Sequence, residues 1–415
     1  MVKLNKLAAA LVLSLGSAAF VAPVAQAAEK CPIDKRQSKA VGQSVGKKVQ
    51  RSYKAYTEGN LDEALAILLE ANPKNDFDKA YLARMLGNFY AEKQQFDKAL
   101  TQLRLAVDAD ILGGADHAGT LRLLADLSVQ EKKWSDAISM YKKWMAFTCK
   151  QDDKAYFRIA IAHSELKQWD KALAAANKGI ELAAKPNKGL YQLKLTAYYN
   201  KKDYKNAVKV LETMVPLFQD DGKLWVQLAQ FYLVEENYKK SLATFDLAYK
   251  NGFLTTAGNI TRLSQLLASN GSPYRGAKIY EKHLKSGLIK KDAKTLKTLA
   301  GFYHTAKELK EAANYYGQSA DISKDGQTYL RQARLLSLDG KESAAIKALN
   351  KSLKAGLKNP GEAHFELALA YLDLKQYKSA YNYAQKAMKD KKTKRSAKSY
   401  VAYIKEKARI HNVAL

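Results

Sequence analysis

Two short segments near the middle of the chain decide its fold. Residues 225–232 have the sequence WVQLAQFY, and residues 238–242 have the sequence YKKSL. In the first segment, large apolar residues recur three and four positions apart around a small residue, which is the spacing of an amphipathic helix. In the second, an aromatic residue is followed by two polar residues, a small residue and an apolar one. Together the segments predict two helices joined by a short turn, and neither helix can bury its apolar face alone.

The second pattern recurs ten times between residues 61 and 381, and the small residue in each copy serves as an anchor that marks its phase. The predicted anchors are Ala64, Ala99, Ala137, Ala172, Ala207, Ser241, Ala277, Ala312, Ala344 and Ala380. Consecutive anchors are 32 to 38 residues apart. A period in this range is typical of stacked helical hairpins, in which aromatic residues fill the core between neighbouring units. The chain is therefore predicted to be all-α.

These paired segments resemble the tetratricopeptide repeat (TPR), whose period is about 34 residues. Residues 225–232 match each fixed position of its first half, and residues 86–90, 299–303 and 367–371 match part of it. The resemblance covers nearly all of residues 45–390, with weaker seventh and ninth copies. It implies a TPR superhelical solenoid of about ten helix-turn-helix repeats. Such an array grows in one dimension, which explains how a chain of 415 residues needs no division into ordinary domains.

Both ends differ from the repeats. Residues 1–27 have the basic start, apolar middle and small-residue end of a cleavable signal peptide. A membrane anchor is the alternative, but the apolar run is short, and no later stretch has the length of a span. Residues 28–44 are predicted to be a non-TPR, extended segment. Residues 45–390 are predicted to form the array, and residues 391–415 a charged connector and an amphipathic capping helix with Tyr400, Tyr403 and Ile404 facing inward. The predicted location is the periplasm.

The chain is strongly basic, with a formal net charge of +28. Direct counting gives 12 Arg among its 69 basic residues, so 57 are Lys. Lysine is more often a hydrated surface charge, whereas arginine forms bidentate contacts with phosphate. Nucleic acid is therefore not predicted as a partner. Anionic envelope polymers are candidate partners, and a solvated basic surface is the alternative.

Cys31 and Cys149 are the only cysteines. In an oxidising compartment an even pair favours a disulfide, which would tie the N-terminal segment to the end of the third repeat. Two unpaired thiols, or an intermolecular bond through Cys31, are the alternatives.

The sequence offers no chemistry of an enzyme. None of the six histidines lies four residues from another or beside a cysteine pair, so no zinc site is predicted. The one glycine-rich loop, residues 111–119, lacks the Lys-Ser/Thr of a phosphate-binding loop. We therefore predict no catalytic residue, no metal and no cofactor. The loop is interpreted as a local insertion.

A binding groove is predicted instead. In a TPR array the concave wall is lined by positions of the first helix that the packing leaves free, and such walls suit peptide recognition. Counted from the anchors, the candidate groove residues are Tyr81, Arg84, Asn88, Arg122, Asp126, Phe157, Ile161, Gln230, Lys294 and Lys297.

The segment from Cys31 to Val49 is not a TPR sequence. It resembles the start of the exported TPR proteins that accompany TonB–ExbB–ExbD energy-transduction systems (the TtpC type). This resemblance implies a periplasmic scaffold that helps TonB-dependent iron uptake, with TonB, ExbB and ExbD as candidate partners. The alternative is a cell-envelope assembly factor that binds peptidoglycan or outer-membrane components through its basic surface.

Overall fold

The computed structural model describes residues 31–415, so the predicted signal peptide at residues 1–27 lies outside the described residues. Within residues 31–415 the chain has 22 helices and no strand. Helices α2 to α21 form ten consecutive helix-turn-helix hairpins, in which we call the first helix A and the second helix B. The prediction of an all-α array of about ten helical repeats is confirmed.

The chain divides into two compact units, and the first ends at Leu182. It contains α1 (Pro32–Lys35) and four hairpins. These are α2 (Gln43–Thr57) with α3 (Leu61–Leu69), α4 (Asp76–Glu92) with α5 (Phe96–Asp108), α6 (Gly114–Gln130) with α7 (Trp134–Thr148), and α8 (Asp153–Glu165) with α9 (Trp169–Leu182).

The second unit begins at Ala183 and contains six hairpins and a last helix. The hairpins are α10 (Lys188–Asn200) with α11 (Tyr204–Leu217), α12 (Gly222–Val234) with α13 (Tyr238–Lys250), α14 (Ala257–Ser269) with α15 (Pro273–Lys285), α16 (Ala293–Thr305) with α17 (Leu309–Ser323), α18 (Gly326–Leu338) with α19 (Glu342–Ala355), and α20 (Pro360–Asp373) with α21 (Tyr377–Ala387). The last helix is α22 (Lys394–Ile410).

The turn inside each hairpin is closed by one residue in the left-handed backbone region, which ends helix A and redirects the chain into helix B. These residues are Gly59, Gln94, Lys132, Lys167, Lys202, Glu236, Gly271, Lys307, Gly340 and Lys375, with φ between 55° and 85°. Each lies five residues before the buried small residue of helix B. The turn residue therefore locates the anchor of each repeat from backbone geometry, whatever its own side chain is.

This phase corrects the predicted anchor of the seventh repeat. Five residues after Gly271 stands Gly276, whereas Ala277 had been predicted. Both residues are buried, but a Cβ on Gly276 would lie only 2.6 Å from the Ser264 carbonyl oxygen. The first helix-B residue of this repeat is Pro273 and not an aromatic residue, and the aromatic one position later misled the prediction.

The anchor of the ninth repeat is corrected in the same direction. Five residues after Gly340 stands Ala345, which is fully buried, whereas the predicted Ala344 is exposed. Helix B of this repeat begins at Glu342, so no aromatic residue marks its start. With Gly276 and Ala345 as anchors, the spacings run from 33 to 38 residues.

Lysine in the left-handed turn position gives a prediction about stability. Lys307 has a φ of 62°, which side chains with a Cβ disfavour. We expect Lys307→Gly to raise the free energy of unfolding by about 1 kcal/mol. Lys347→Gly is the control, because Lys347 is exposed in the middle of α19 and glycine there should cost about 1 kcal/mol. Urea unfolding measures both, and a loss of stability in both variants would contradict the prediction.

The segment before the first hairpin, residues 31–42, is called the leader here. It was predicted to be extended, but it contains α1, and the array begins at Gln43. A disulfide joins Cys31 to Cys149 at the end of α7, with 5.9 Å between their Cα atoms. The leader also lies against Gly114, where a Cβ would fall 2.2 Å from the Ile33 carbonyl oxygen. The glycine-rich loop therefore provides the space in which the leader packs.

The last helix, α22, packs against α21 and was predicted as a cap with Tyr400, Tyr403 and Ile404 facing inward. Ile404 is fully buried, as is Ala397 two helical turns earlier on the same face. Tyr403 is 50% exposed, so its predicted inward orientation is wrong, whereas Tyr400 is 37% exposed and its ring lies 5.2 Å from that of Phe365 on α20. Small residues, not aromatic ones, form most of the face that α22 buries.

Candidate binding groove

An open cavity of about 700 Å³ lies between helices A of the third and fourth hairpins, α6 and α8. Its apolar lining comes from Leu123, Leu127 and Val129 on α6 and from Phe157 on α8. Helix α8 is fixed at its start by the Asp152 carboxylate, which accepts a hydrogen bond of 2.6 Å from the backbone N–H of Ala155. The cavity is thus a cleft between α6 and the capped start of α8, of the size that ligand sites have.

Arg122 lies at the edge of this cleft and is held by carboxylates on both sides. Its Nε is 3.3 Å from Asp126 Oδ2, and its Nη1 is 3.4 Å from Asp152 Oδ1. The guanidinium also lies 5.3 Å and 4.8 Å from the ring centres of Tyr141 and Trp144. Burial alone lowers the pKa of Arg122, but the two carboxylates outweigh it and hold the pKa above its ordinary value. Arg122 is therefore a fixed cation that closes one end of the cleft.

Asp126 is equally occupied. It accepts a hydrogen bond from the hydroxyl of Tyr141, which is fully buried, as well as the bond from Arg122. Burial and the hydrogen bond to Asp126 both raise the pKa of Tyr141. Asp126 thus joins α6 to α7 inside one hairpin. Because both of its partners hold it in place, Asp126 helps to shape the cleft and offers little unpaired charge to a ligand.

Two exposed cations line the wall of the cleft that α8 forms. Lys154 and Arg158 line the cleft from α8 and form no ion pair with any residue in the range 31–415. They lie four residues apart, so both stand on one face of the helix beside Phe157. The sequence analysis selected Phe157 but missed both cations. Their spacing on the predicted helix was the signal that could have found them.

Comparison with known protein families identifies the repeat. Residues 361–389, which span α20 and α21, match the family model described as tetratricopeptide repeat. The chain therefore carries a tetratricopeptide repeat in its tenth hairpin. The other hairpins share with this one the turn geometry and the buried small residue of helix B. No curated protein matches the sequence.

Several solved structures are similar to the chain. A tetratricopeptide repeat protein from Parabacteroides merdae is 15% identical over 68% of this chain and 94% of its own, with a TM-score of 0.36. The C-terminal part of a TPR repeat-containing protein from Cytophaga hutchinsonii is 14% identical over 66% and 97%, with a TM-score of 0.37. MamA from Desulfovibrio magneticus is 18% identical over 44% and 99%, with a TM-score of 0.35.

The predicted groove residues of the second TPR, on α4, form a cluster of their own. Arg84 is 3.1 Å from Asp116 and lies 5.1 Å from the ring centre of Tyr81. Tyr81, Arg84 and Asn88 are all half-buried. None of the three lines the cleft between α6 and α8. Arg84 is engaged with the next helix A, so it holds neighbouring repeats together.

The remaining predicted groove residues are dispersed. Ile161 is half-buried on α8, one turn beyond Phe157, and does not line the cleft. Gln230, Lys294 and Lys297 are exposed on helices A of the second unit, and Lys297 Nζ is 3.4 Å from Asp325. Of the ten predicted residues, the structure brings Arg122, Asp126 and Phe157 around one cavity.

Two further features bear on chemistry. In the part of the chain that the structure describes, no three His, Cys, Asp or Glu side chains are placed to hold a metal ion. A helix with the length and apolarity of a membrane span is likewise not found among residues 31–415. The TPR fold is typically that of a non-enzymatic scaffold.

Proposed function

We propose that this protein is a scaffold that binds a segment of a partner protein in the cleft between α6 and α8. One observation carries the proposal. The cleft combines an apolar lining around Phe157 with two exposed cations, Lys154 and Arg158, that no carboxylate of the described chain neutralises. Apolar contacts supply affinity, and the cations favour a segment that carries a carboxylate.

The proposed setting is the periplasm, and the proposed partners belong to a TonB–ExbB–ExbD system. Export is supported by the signal-like residues 1–27, and the system by the resemblance of residues 31–49 to TtpC-type proteins. In this proposal the protein is an accessory of energy transduction for iron uptake, and the cleft between α6 and α8 holds a TonB-system component.

A second candidate function is favoured by charge. The net charge of +28 and the predominance of lysine suit attraction to anionic envelope polymers such as peptidoglycan. In this alternative the protein is an envelope assembly factor. Its binding would depend on the whole basic surface and not on one cleft, which makes the two candidates separable.

A photocrosslinking experiment in the native host tests the proposal. A photoreactive amino acid replaces Arg158 in the cleft or, as a control, Lys132 in the exposed turn of the third hairpin. The expected result is a covalent adduct with TonB, ExbB or ExbD from position 158 and none from position 132. Adducts with unrelated proteins alone would contradict the TonB assignment. Absence of any protein adduct, with retention on purified peptidoglycan, would favour the envelope alternative.

Charge reversal in the cleft gives a quantitative prediction for the identified partner. Lys154→Glu with Arg158→Glu is expected to weaken its binding about tenfold, because two cations are replaced by anions next to the bound segment. The matched control is Lys142→Glu with Lys150→Glu, which changes the same net charge at exposed sites outside the cleft. Calorimetry measures both affinities. An equal loss in the two double variants would show that only overall charge matters.

A further inference from the structure

A second groove lies in the other unit, on α17, α18 and α19, with a volume of about 790 Å³. Helix α18 packs against both α17 and α19, so the groove runs between two helices B with a helix A beneath them. This arrangement differs from the cleft between α6 and α8, which two helices A form. The groove is therefore a separate surface on the second unit.

The ninth repeat, like the first and the fifth, carries a polar residue where the others carry an apolar one, and in the ninth this residue lines the groove. Thirteen residues before the buried small residue of helix B, seven repeats carry Leu or Ile, as at Leu299 and Leu367, and these side chains are buried. The ninth repeat has Gln332 at this position, and it is half-buried. Its amide lies over Gly317, where a Cβ would fall 2.3 Å from Gln332 Nε2. A polar group thus occupies a core position of the repeat.

The amide of Gln332 makes no hydrogen bond to another residue in the range 31–415. Its polar atoms are open to solvent and not buried, so the amide is available to a ligand in the groove. Departures from local packing rules are expected where a protein binds something. The Gln332 amide lines the groove, beside Asn314 at its rim, so both side chains can meet the backbone groups of a bound segment.

The rim of the groove is strongly positive. Lys310, Lys341 and Lys347 are exposed and form no ion pair within residues 31–415. Lys351 is the fourth lysine and lies 2.9 Å from Asp321. Asp339 is the one carboxylate among the lining residues. The charge of the groove is complementary to an acidic occupant.

We propose that this groove binds an extended acidic peptide segment of a partner protein. The lysines at the rim pair with its Asp or Glu side chains, and the amides of Asn314 and Gln332 pair with its backbone. The small residues Ala344 and Ala348 leave room for the chain between the lysines. The site is independent of the cleft between α6 and α8 and of the function proposed for that cleft.

Fluorescence anisotropy with the full chain tests this site. The probe is a labelled peptide of ten glutamates, and a peptide of ten glutamines is the neutral comparison. We expect binding of the first and not of the second, with an affinity that falls as salt rises. Lys341→Glu with Lys347→Glu should weaken binding about tenfold, since two attractive contacts become repulsive. The matched control is Lys239→Glu with Lys282→Glu, which changes two exposed lysines on α13 and α15 outside the groove. This control should change the affinity for the glutamate peptide less than about twofold.

A second variant tests the groove without changing charge. Gln332→Leu restores the residue that most repeats carry, so the variant should fold at least as stably as the parent while its affinity for the glutamate peptide falls. Lys154→Glu with Arg158→Glu should leave that affinity within about twofold, which separates this site from the other cleft. The proposal is overturned by equal losses in the groove and control doubles, by full binding in Gln332→Leu, or by groove-dependent binding of polyphosphate or peptidoglycan fragments without binding of the peptide.

Discussion

Replacing both cysteines, Cys31→Ser with Cys149→Ser, is expected to lower the free energy of unfolding of the first unit by about 4 to 5 kcal/mol. The two residues are 118 positions apart, so the disulfide closes a long loop and removes many conformations from the unfolded chain. Denaturant unfolding of the full chain measures the loss. The parent protein in reductant is the control, and its unfolding curve should coincide with that of the double variant.

The remaining polar contacts of the leader are individually weak, which makes a local effect visible as well. Arg36 is 2.6 Å from Asp110, and the backbone N–H of Gly42 donates a hydrogen bond of 2.9 Å to Asp78. An exposed ion pair of this kind contributes no more than about 1 kcal/mol. Without the disulfide, residues 31–42 should therefore exchange their amide hydrogens much faster than the adjoining helix α2. Unchanged exchange in the leader would contradict this account of how it is held.

The pKa of His117 should also report the release of the leader when the disulfide is absent. The leader covers His117, so that it is 4% exposed, its ring lies 4.8 Å from that of Phe147, and Arg36 is nearby. Burial, with the charge of Arg36, lowers the pKa of His117 below its ordinary value of 6.5. In the double cysteine variant we expect this pKa to rise toward 6.5, as an NMR titration would show. An unshifted pKa would mean that the leader stays in place without the disulfide.

The repeats could be predicted from the sequence because their signal is periodic. Ten copies of one pattern give the helix pairs and most of the anchors, since each buried small residue recurs with its turn. The phase failed at Gly276 and Ala345, where helix B begins with Pro273 and Glu342 and not with an aromatic residue or leucine. There the left-handed turn residue, which depends on backbone geometry and can be lysine or glycine alike, was the better guide.

The site was less predictable because its residues are determined by neighbours distant in the chain. Repeat position alone selected Arg122 and Asp126 as free groove residues. The structure engages them with Asp152 and Tyr141, which lie 30 and 15 residues away. Lys154, which holds the same repeat position as Tyr81 and Lys294 but was not selected, lies unpaired in the same cleft. A periodic pattern shows which helix face a residue occupies, whereas its ion pairs depend on contacts between repeats.

Replacing Glu281 by alanine is expected to lower the free energy of unfolding of the second unit by about 3 to 5 kcal/mol. Glu281 is a buried carboxylate on α15 that accepts hydrogen bonds of 2.5 Å from the Tyr303 hydroxyl on α16 and 2.6 Å from the Tyr315 hydroxyl on α17. Lys285 Nζ lies 2.6 Å away. The side chain therefore joins the seventh hairpin to both helices of the eighth, and its removal leaves two hydroxyls without an acceptor.

Glu281→Gln is the matched variant, since it keeps the shape of the side chain and removes its charge. We expect a smaller loss, about 1 to 3 kcal/mol, because the amide oxygen can accept from a tyrosine while the NH₂ group cannot. Urea unfolding at neutral pH compares the two variants. Equal losses would show that the negative charge, which both variants remove, stabilises the junction, and that the volume and the amide oxygen of Gln contribute nothing.

The pH dependence separates the charge of Glu281 from its packing. Burial alone raises the pKa of Glu281, but hydrogen bonds from Lys285, Tyr303 and Tyr315 outweigh it and lower the pKa from 4.5 to about 2. A carboxyl group whose pKa is lower in the folded state stabilises that state fully above its unfolded pKa. This stabilisation is therefore complete above about pH 4.5 and declines as the pH falls toward 2.

Glu281→Gln has no carboxyl group at this position, so it lacks the stabilisation that the parent loses as the pH falls. The difference in the free energy of unfolding between the parent and this variant should therefore shrink as the pH falls from 5 toward 2. Glu311→Gln is the control, because Glu311 is exposed on α17 and its loss should change stability by less than about 0.5 kcal/mol. A difference between parent and Glu281→Gln that stays constant from pH 5 to pH 2 would contradict a charged Glu281 at the junction. The hydroxyls of Tyr303 and Tyr315 would then be held by packing alone, and removing their acceptor should cost little at any pH.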